Sequence, residues 1–379
     1  MIDLFRPFVA PEAKERVVAT LTPDESGRSY LGEGPRVQEF EQAFGQLVGM
    51  PPPSLSPLAL NSCTSALDLA LHLCGVGLGS EVITTPMTCT ATNGVIVNRG
   101  AKIVWADVDP ITGLIDPTDV LHKITHRTRA VMAVDWAGRS CDYAALRQAI
   151  DSAPVKQIVP LLPVIQDAAH NLFVDPNNRG DYVAWSFQAI KHLTTGDGGA
   201  LMVPEHQYER ARLLRWYGLD RTSSADFRCS QDIREVGFKY HMNDIAASIG
   251  LANIPHVQEL VARHRENAVW YSQALQDVPG LTSPPEDPGS SWWLYCVLVD
   301  DRASLIDHLS SRGISASPVH RRNDTHPAFF YPNGPLPGVD AFAEHEVAIP
   351  VGWWLSNNDR ARVVAAVLEW AHARQLVPA

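Results

Sequence analysis

Between residues 58 and 203 the sequence carries seven short runs that are almost entirely apolar: LALNS (58–62), EVITT (81–85), KIVWAD (102–107), AVMAVD (130–135), LPVIQD (162–167), YVAWSF (182–187) and ALMV (200–203). No other feature restricts the fold as much. Near-continuous apolar runs of this length suit strands buried on both faces. Helical stretches such as SALDLALHL (65–73) and YAALRQAI (143–150) separate several of them. Strands alternating with helices predict an α/β fold, with a mostly parallel seven-stranded sheet and helices on both faces.

The pattern changes after the seventh run. A helix-rich stretch extends from about Met242 to Gln276, and WWLYCVLVD (292–300) reads as a strand. DRASLIDHLSSRG (301–313) reads as a helix stopped by Gly313. A last helix, NNDRARVVAAVLEWAHARQL (357–376), starts on asparagine. PPPSLSP (51–57) and the proline-rich stretch 283–288 read as turns or loops. The expected organisation is a large α/β domain over 1–255 and a smaller C-terminal α+β domain over 256–379, since 379 residues suffice for two cores.

Charge and cysteine usage narrow the function. Lys and Arg number 31 and Asp and Glu 42, so the net charge is 31 − 42 = −11, which disfavours a nucleic-acid partner. No apolar run approaches the roughly 20 residues that span a bilayer, so no membrane partner is expected. The opening MIDLFRPFVAPEAKERV has no basic segment followed by an apolar stretch, so no signal peptide is expected. The six cysteines are scattered without a CxxC pair, which argues against zinc and fits reduced thiols in a cytoplasmic protein.

Ligands of open α/β sheets bind beyond the carboxyl ends of the strands. Four features fall at such ends. In NSCTSAL (61–67) a strand gives way to a helix, and Thr64 with neighbouring backbone N–H groups would face an anion there. In VIQDAAHNLF (164–173) Asp167 directly follows a strand, where a carboxylate needs a partner, and His170 lies close behind. Ser186 ends the sixth run, five residues before Lys191. A lysine at the mouth of a sheet loses hydration, which lowers its pKa and makes its amine nucleophilic. Gly196, Gly198 and Gly199 permit a tight turn beside it. Singly, each has an ordinary reading: an N-cap, a capping Asp, a buried Ser, a core or surface His, an exposed loop Lys. Together, an anion site, a carboxylate and a nucleophilic lysine are what pyridoxal 5'-phosphate (PLP) requires. The lysine forms a Schiff base with its aldehyde, the carboxylate pairs with the protonated pyridine nitrogen, and the helix start and hydroxyls take its phosphate.

At this point the chain resembles the DegT/DnrJ/EryC1/StrS family of sugar aminotransferases, PLP enzymes of fold type I. RPFVAPEAKERVVATL (6–21) and YLGEGPRVQEFEQAFGQLVG (30–49) match the family's opening, NSCTSALDLAL its phosphate turn and QDAAH its Asp motif. SFQAIKHLTTGDGGAL matches its lysine motif, GFKYHMNDIAASIGLANI (237–254) its dimer-forming stretch, and VHRRNDTHPAF (319–329) its substrate-side segment. The resemblance implies that Lys191 carries the cofactor and later moves the proton between cofactor and substrate carbon. It implies that Asp167 pairs with the pyridine nitrogen, that Thr64, Ser186 and the Cys63 backbone hold the phosphate, and that His170 contacts the ring hydroxyl or face. It further implies a homodimer in which each site is completed by the partner chain.

Two positions depart from the family's pattern. Cys89, in TTPMTCTATN, stands where an aromatic usually stacks on the pyridine ring, and a small apolar thiol would cover the ring less fully. Lys239, in GFKYHM, stands where the partner-chain motif usually has Asn, and would reach the phosphate as a point charge. A family branch of sugar 3-dehydratases has histidine at the lysine position; Lys191 here implies transamination. The implied substrates are L-glutamate and a nucleotide-linked keto-sugar, with a 4-keto-6-deoxy hexose giving a perosamine-type 4-amino sugar the leading expectation. His320, Arg321 and His326 are candidates for substrate contacts, alongside the reading of a polar surface loop. A 3-keto-sugar, an aminocyclitol acceptor and a non-enzymatic PLP-binding regulator are the alternatives.

Overall fold

The computed structural model describes residues 1–50, 57–154, 161–221, 230–329, 331 and 334–375. Most of the expected loop 51–57, Cys229 and the end of the last expected helix lie outside the described residues. Each of the seven apolar runs contains a strand: β1 Leu58–Leu60, β2 Glu81–Thr84, β3 Lys102–Trp105, β4 Thr128–Val134, β5 Val164–Asp167, β6 Tyr182–Ser186 and β7 Gly199–Met202. They form one sheet in the order β1-β7-β6-β5-β4-β2-β3. β2, β3, β4, β5 and β6 pair in parallel, while β7 runs antiparallel to both β6 and β1.

The single reversed strand has a local cause. Parallel neighbours need a long crossover, usually a helix. Only residues 187–198 join β6 to β7, and no helix forms there. Phe187 N–H donates to Gly198 O (2.9 Å) and Thr195 N–H to Phe187 O (3.0 Å), closing the connection on itself. This loop carries Lys191. Because β7 alone is reversed, the carboxyl ends of β1, β2, β4, β5 and β6 share one edge of the sheet with the start of β7.

Both faces of the sheet are buried, as continuous apolar strands require. One face packs Leu60, Ala130, Met132, Ile165, Ala184 and Leu201 under the helix Cys63–Leu73. Along β6 the opposite face presents Val183 and Trp185 to Phe40, Phe44 and Phe187. Phe44 meets Trp185 and Phe187 edge to face, with centroids 5.4 and 4.9 Å apart. Helix starts are set by short polar side chains. Ser62, Asp142, Asn243 and Asp301 each accept the N–H three residues on, which satisfies a donor the first turn leaves unpaired. Gly313 takes a left-handed φ of 69° just past the helix Arg302–Ser311.

The C-terminal part builds a second, antiparallel sheet from β8 Leu281–Thr282, β9 Tyr295–Val299 and β10 Glu346–Ile349. Its core takes Tyr271, Leu305, Leu309, Val363, Val367 and Trp370, together with Ile2 from the chain's start. The run 292–300 is a strand only from Tyr295 onward. Before it, the backbone bonds to the first sheet's side instead: Ser291 N–H donates to Gly138 O (2.9 Å) and Leu294 N–H to Ala137 O (3.2 Å). The approach is close. A side chain on Gly138, at φ 99°, would meet Trp292 N at 2.8 Å and His170 O at 2.9 Å. Trp292 itself sits at φ 47°. Alternation is broken there, and Trp293 is delivered to a cavity rather than to the sheet.

Candidate active site

A cavity of about 450 Å³ opens at the carboxyl edge of the first sheet. Its floor is built where strands end: Asp167 after β5, Ser186 at the end of β6, and Ser62, Cys63 and Thr64 after β1. The helix Cys63–Leu73 begins here, capped by Ser62, whose Oγ accepts from Ser65 N–H at 3.0 Å. The N–H groups of Cys63 and Thr64 belong to the first turn, which has no intrahelical acceptors, and the helix dipole is positive at this end. Anions are therefore favoured beside Thr64 and Ser186.

Gly199 lets this arrangement form. In the register it pairs with Leu60 on one side and Ser186 on the other. A Cβ there would lie 2.5 Å from Cys63 N and 2.7 Å from Ser62 O. Backbone atoms cannot yield cheaply, so Gly199→Ala is expected to cost about 1–3 kcal/mol. Denaturant unfolding of the variant checks this, and unchanged stability would contradict the close packing.

Asp167 is buried. One carboxylate oxygen accepts from Thr92 Oγ1 (2.8 Å), and the other from Ala169 N–H (3.0 Å), with the Cys63 thiol at 3.9 Å. Burial pushes its pKa above the ordinary carboxylate value, against the opposing pull of Thr92, Ala169 and the amine of Lys191. Thr92 is itself set by Thr88, whose hydroxyl lies 2.8 Å away.

Lys191 follows a turn in which its N–H donates to Gln188 O (2.9 Å). Burial lowers its pKa to about 7, although Asp167, Cys63 and Cys89 favour the charged form. Near neutral pH a large share of this amine is therefore unprotonated and nucleophilic, unlike a solvated lysine. Its Nζ lies 3.3 Å from the centroid of the Trp293 ring.

An aromatic wall completes the cavity. His170 stacks on Trp293 (centroids 4.0 Å apart, 24° between planes), and Phe5 stacks on Trp293 at 5.0 Å. His320 lies parallel to His170 at 5.9 Å, and Trp136 meets both imidazoles edge on. His170 Nδ1 and His320 Nε2 are buried without a hydrogen-bond partner among the described residues. Burial holds both rings neutral: it lowers His320 to about 4 and His170 well below its ordinary value.

Of the residues singled out from sequence, Cys63, Thr64, Cys89, Asp167, His170, Ser186, Lys191 and His320 line this one cavity. Arg321 and His326 do not: Arg321 Nε donates to Thr325 Oγ1 (2.8 Å), and His326 packs edge-on against Phe329. Lys239 also lies outside the cavity of its own chain, its Nζ 3.8 Å from the Trp216 ring centroid. Cys89 precedes the helix Thr90–Asn98, and its carbonyl accepts from Asn323 Nδ2 (3.3 Å). Sequence reasoning missed Thr92, Trp293 and Phe5. Thr92 carried a faint signal, four residues after Thr88; Phe5, just before the run 6–21, and Trp293, inside the run 292–300, carried no signal of chemistry, because an aromatic in an apolar stretch reads as core.

The DegT/DnrJ/EryC1/StrS aminotransferase family matches residues 12–368 of the sequence. The chain belongs to this family. The aminotransferase is 32% identical over 384 residues to the spore coat polysaccharide biosynthesis protein SpsC of Bacillus subtilis (strain 168), covering 95% of each chain. Among solved structures, it is similar to the sugar aminotransferase CalS13 from Micromonospora echinospora, with 36% identity, a TM-score of 0.89, and 97% of this chain and 100% of that one covered. AtS13 from Actinomadura melliaura is 41% identical, again with a TM-score of 0.89, over 97% of this chain and 98% of that one. The mixed seven-stranded sheet is that of fold type I PLP enzymes, and the cofactor of this aminotransferase is PLP.

The cavity's donor set suits that cofactor. First-turn N–H groups and two hydroxyls face a phosphate-sized anion, a buried carboxylate suits a protonated ring nitrogen, and a near-neutral amine suits an aldehyde. The unpartnered nitrogens of His170 and His320 leave polar capacity at the aromatic wall for a bound group to use.

Proposed function

We propose that this aminotransferase moves the amino group of L-glutamate to a nucleotide-linked keto-sugar, a 4-keto-6-deoxy hexose that becomes the 4-amino sugar. The observation that carries the amino-transfer chemistry is the amine of Lys191, lowered to about 7 in the same cavity as buried Asp167. What supports a sugar acceptor is the likeness to CalS13, described as a sugar aminotransferase, and to SpsC, described as a polysaccharide biosynthesis protein.

Bound PLP supplies the electron-withdrawing ring that makes the proton on the amino-bearing carbon removable. The chain's own residues do the rest. Asp167 holds a carboxylate at the end of β5, where it favours a protonated ring nitrogen. The first-turn N–H groups of Cys63 and Thr64, with the hydroxyls of Thr64 and Ser186, hold the phosphate and fix the ring's register. His170 packs against the ring's face or hydroxyl. Lys191 Nζ would move the proton, carrying it from the donor's α-carbon to the cofactor side in one half-reaction and from there to the sugar carbon in the other; its near-neutral pKa suits both directions. The apolar wall excludes water, which limits hydrolysis. His320, which lines the cavity, would meet the sugar, and Arg321 and His326 would meet its diphosphate end. We read the active assembly as a homodimer, in which Lys239 serves the phosphate of the other copy's site.

The test is the purified PLP-loaded protein with L-glutamate and a panel of acceptors, read by mass spectrometry of the products. A 4-amino nucleotide sugar is the expected result. A 3-amino product, or an aminated cyclitol without a nucleotide, would reassign the acceptor. Transfer to no acceptor by protein that holds PLP on Lys191 would favour a regulator over an enzyme.

A further inference from the structure

We propose that Trp293 is a positioning residue for Lys191: its indole face holds the amine, and its indole N–H anchors the loop that carries it. Trp293 precedes β9 and lies 103 residues beyond Ile190, the loop residue it bonds. Its ring centroid lies 3.3 Å from Lys191 Nζ, well inside the range at which an ammonium is attracted to an aromatic face. Its Nε1–H donates to the carbonyl of Ile190, the residue immediately before Lys191, at 3.0 Å. Trp293 is in turn fixed on both sides of its fold: Phe5 and His170 stack on it, and its backbone neighbours bond to Ala137 and Gly138. One rigid indole thus controls both the backbone and the head group of the lysine.

The consequence concerns the amine when it is free. Lys191 must swing between cofactor and proton-carrying positions, and without a resting contact a four-carbon side chain samples many rotamers. The indole face gives the amine a resting place next to the reacting centre. An aromatic face also favours ammonium over neutral amine, so it works with Asp167, Cys63 and Cys89 against burial. His170, His192 and His320, the other titratable groups around it, are held neutral by burial. This inference rests on Lys191 being the reactive amine.

The sign of the shift separates positioning from mere packing. Removing the aromatic face takes away support for the ammonium and lowers the pKa of Lys191 further. Loosened packing alone would admit water and raise it. The experiment is competitive acetylation of the cofactor-free protein by acetic anhydride from about pH 5 to about pH 9, read at the Lys191 peptide by mass spectrometry. The wild type is expected to titrate at about 7. Trp293→Leu is expected to titrate lower by about one pH unit. An unchanged or raised value in that variant would overturn the proposal. Trp293→Phe keeps an aromatic face but loses the donor, and is expected to show faster amide exchange in the loop 188–191 with a smaller pKa change. Unaltered exchange there would overturn the anchoring role, and this variant carries the test if Trp293→Leu does not fold. Borohydride trapping of PLP on the wild-type Lys191 peptide tests the underlying assignment separately, so the two failures are distinguishable.

Discussion

Lys191→Ala is expected to abolish amino transfer, with a loss of about 10³-fold or more, while the protein folds as before. The rate argument is chemical. On the proposed reading the amine is both the covalent attachment for the cofactor and the proton carrier, and among the described residues no other lysine of the same chain lines the cavity. The stability argument is electrostatic. The folded pKa of about 7 lies below the ordinary value of 10.5, so folding makes the protonated form harder to hold. A group of this kind opposes folding fully below about pH 7, progressively less as the pH rises toward 10.5, and not at all above it. Cofactor-free Lys191→Ala should therefore be at least as stable as the wild type at neutral pH, with the gap narrowing at alkaline pH. Single-turnover kinetics with glutamate and thermal unfolding across pH check the two halves. Appreciable turnover would remove Lys191 from the mechanism; a marked loss of cofactor-free stability would mean that the amine holds the fold together.

Asp167→Asn is expected to lower turnover by about 10²–10³-fold, the scale on which a preorganised electrostatic partner acts. Asn keeps the shape, and its Oδ1 still accepts from Ala169 N–H; its Nδ2 would face Thr92, whose hydroxyl turns round to accept, so the substitution removes the charge and one acceptor. Burial raises the pKa of Asp167, so its folded value lies above its unfolded one. Its charged form opposes folding at neutral pH, and this opposition fades as the pH falls and both states become protonated. The cofactor-free variant should thus match or exceed the wild type in stability at neutral pH while losing activity. Steady-state kinetics alongside thermal unfolding separate the effects. Unchanged kinetics would exclude Asp167 as the partner of the ring nitrogen.

Much of this was legible in the sequence because it depends on near neighbours. All seven strands declared themselves as apolar runs, since a strand covered on both faces has no polar positions to spare. The helix after β1 was legible within NSCTSAL, though the reading centred on Thr64 with the helix at 65–73; in the structure the helix starts at Cys63 and Ser62 caps it. Asp167, Ser186 and Lys191 were legible as a set because each follows a strand and strand ends share an edge. The second sheet was harder. WWLYCVLVD reads as one strand, yet Leu294 within it bonds to Ala137 and Ser291 just before it to Gly138, a pairing that no local pattern encodes. Thr92 is a plain helical threonine until β5 brings Asp167 to within 2.8 Å of its hydroxyl.

By itself, then, the sequence determined the strands, a helix start just after β1 and the residues that the proposed chemistry uses, because periodicity, turn chemistry and residue type act over a few positions. Tertiary structure alone decided which aromatic rings meet Lys191, that Arg321, His326 and Lys239 stand outside their own chain's cavity, and that the amine titrates near 7. The reason is physical: a lysine's pKa is set by how much water its neighbours remove and which charges and π-faces they bring, and those neighbours come from every part of the chain.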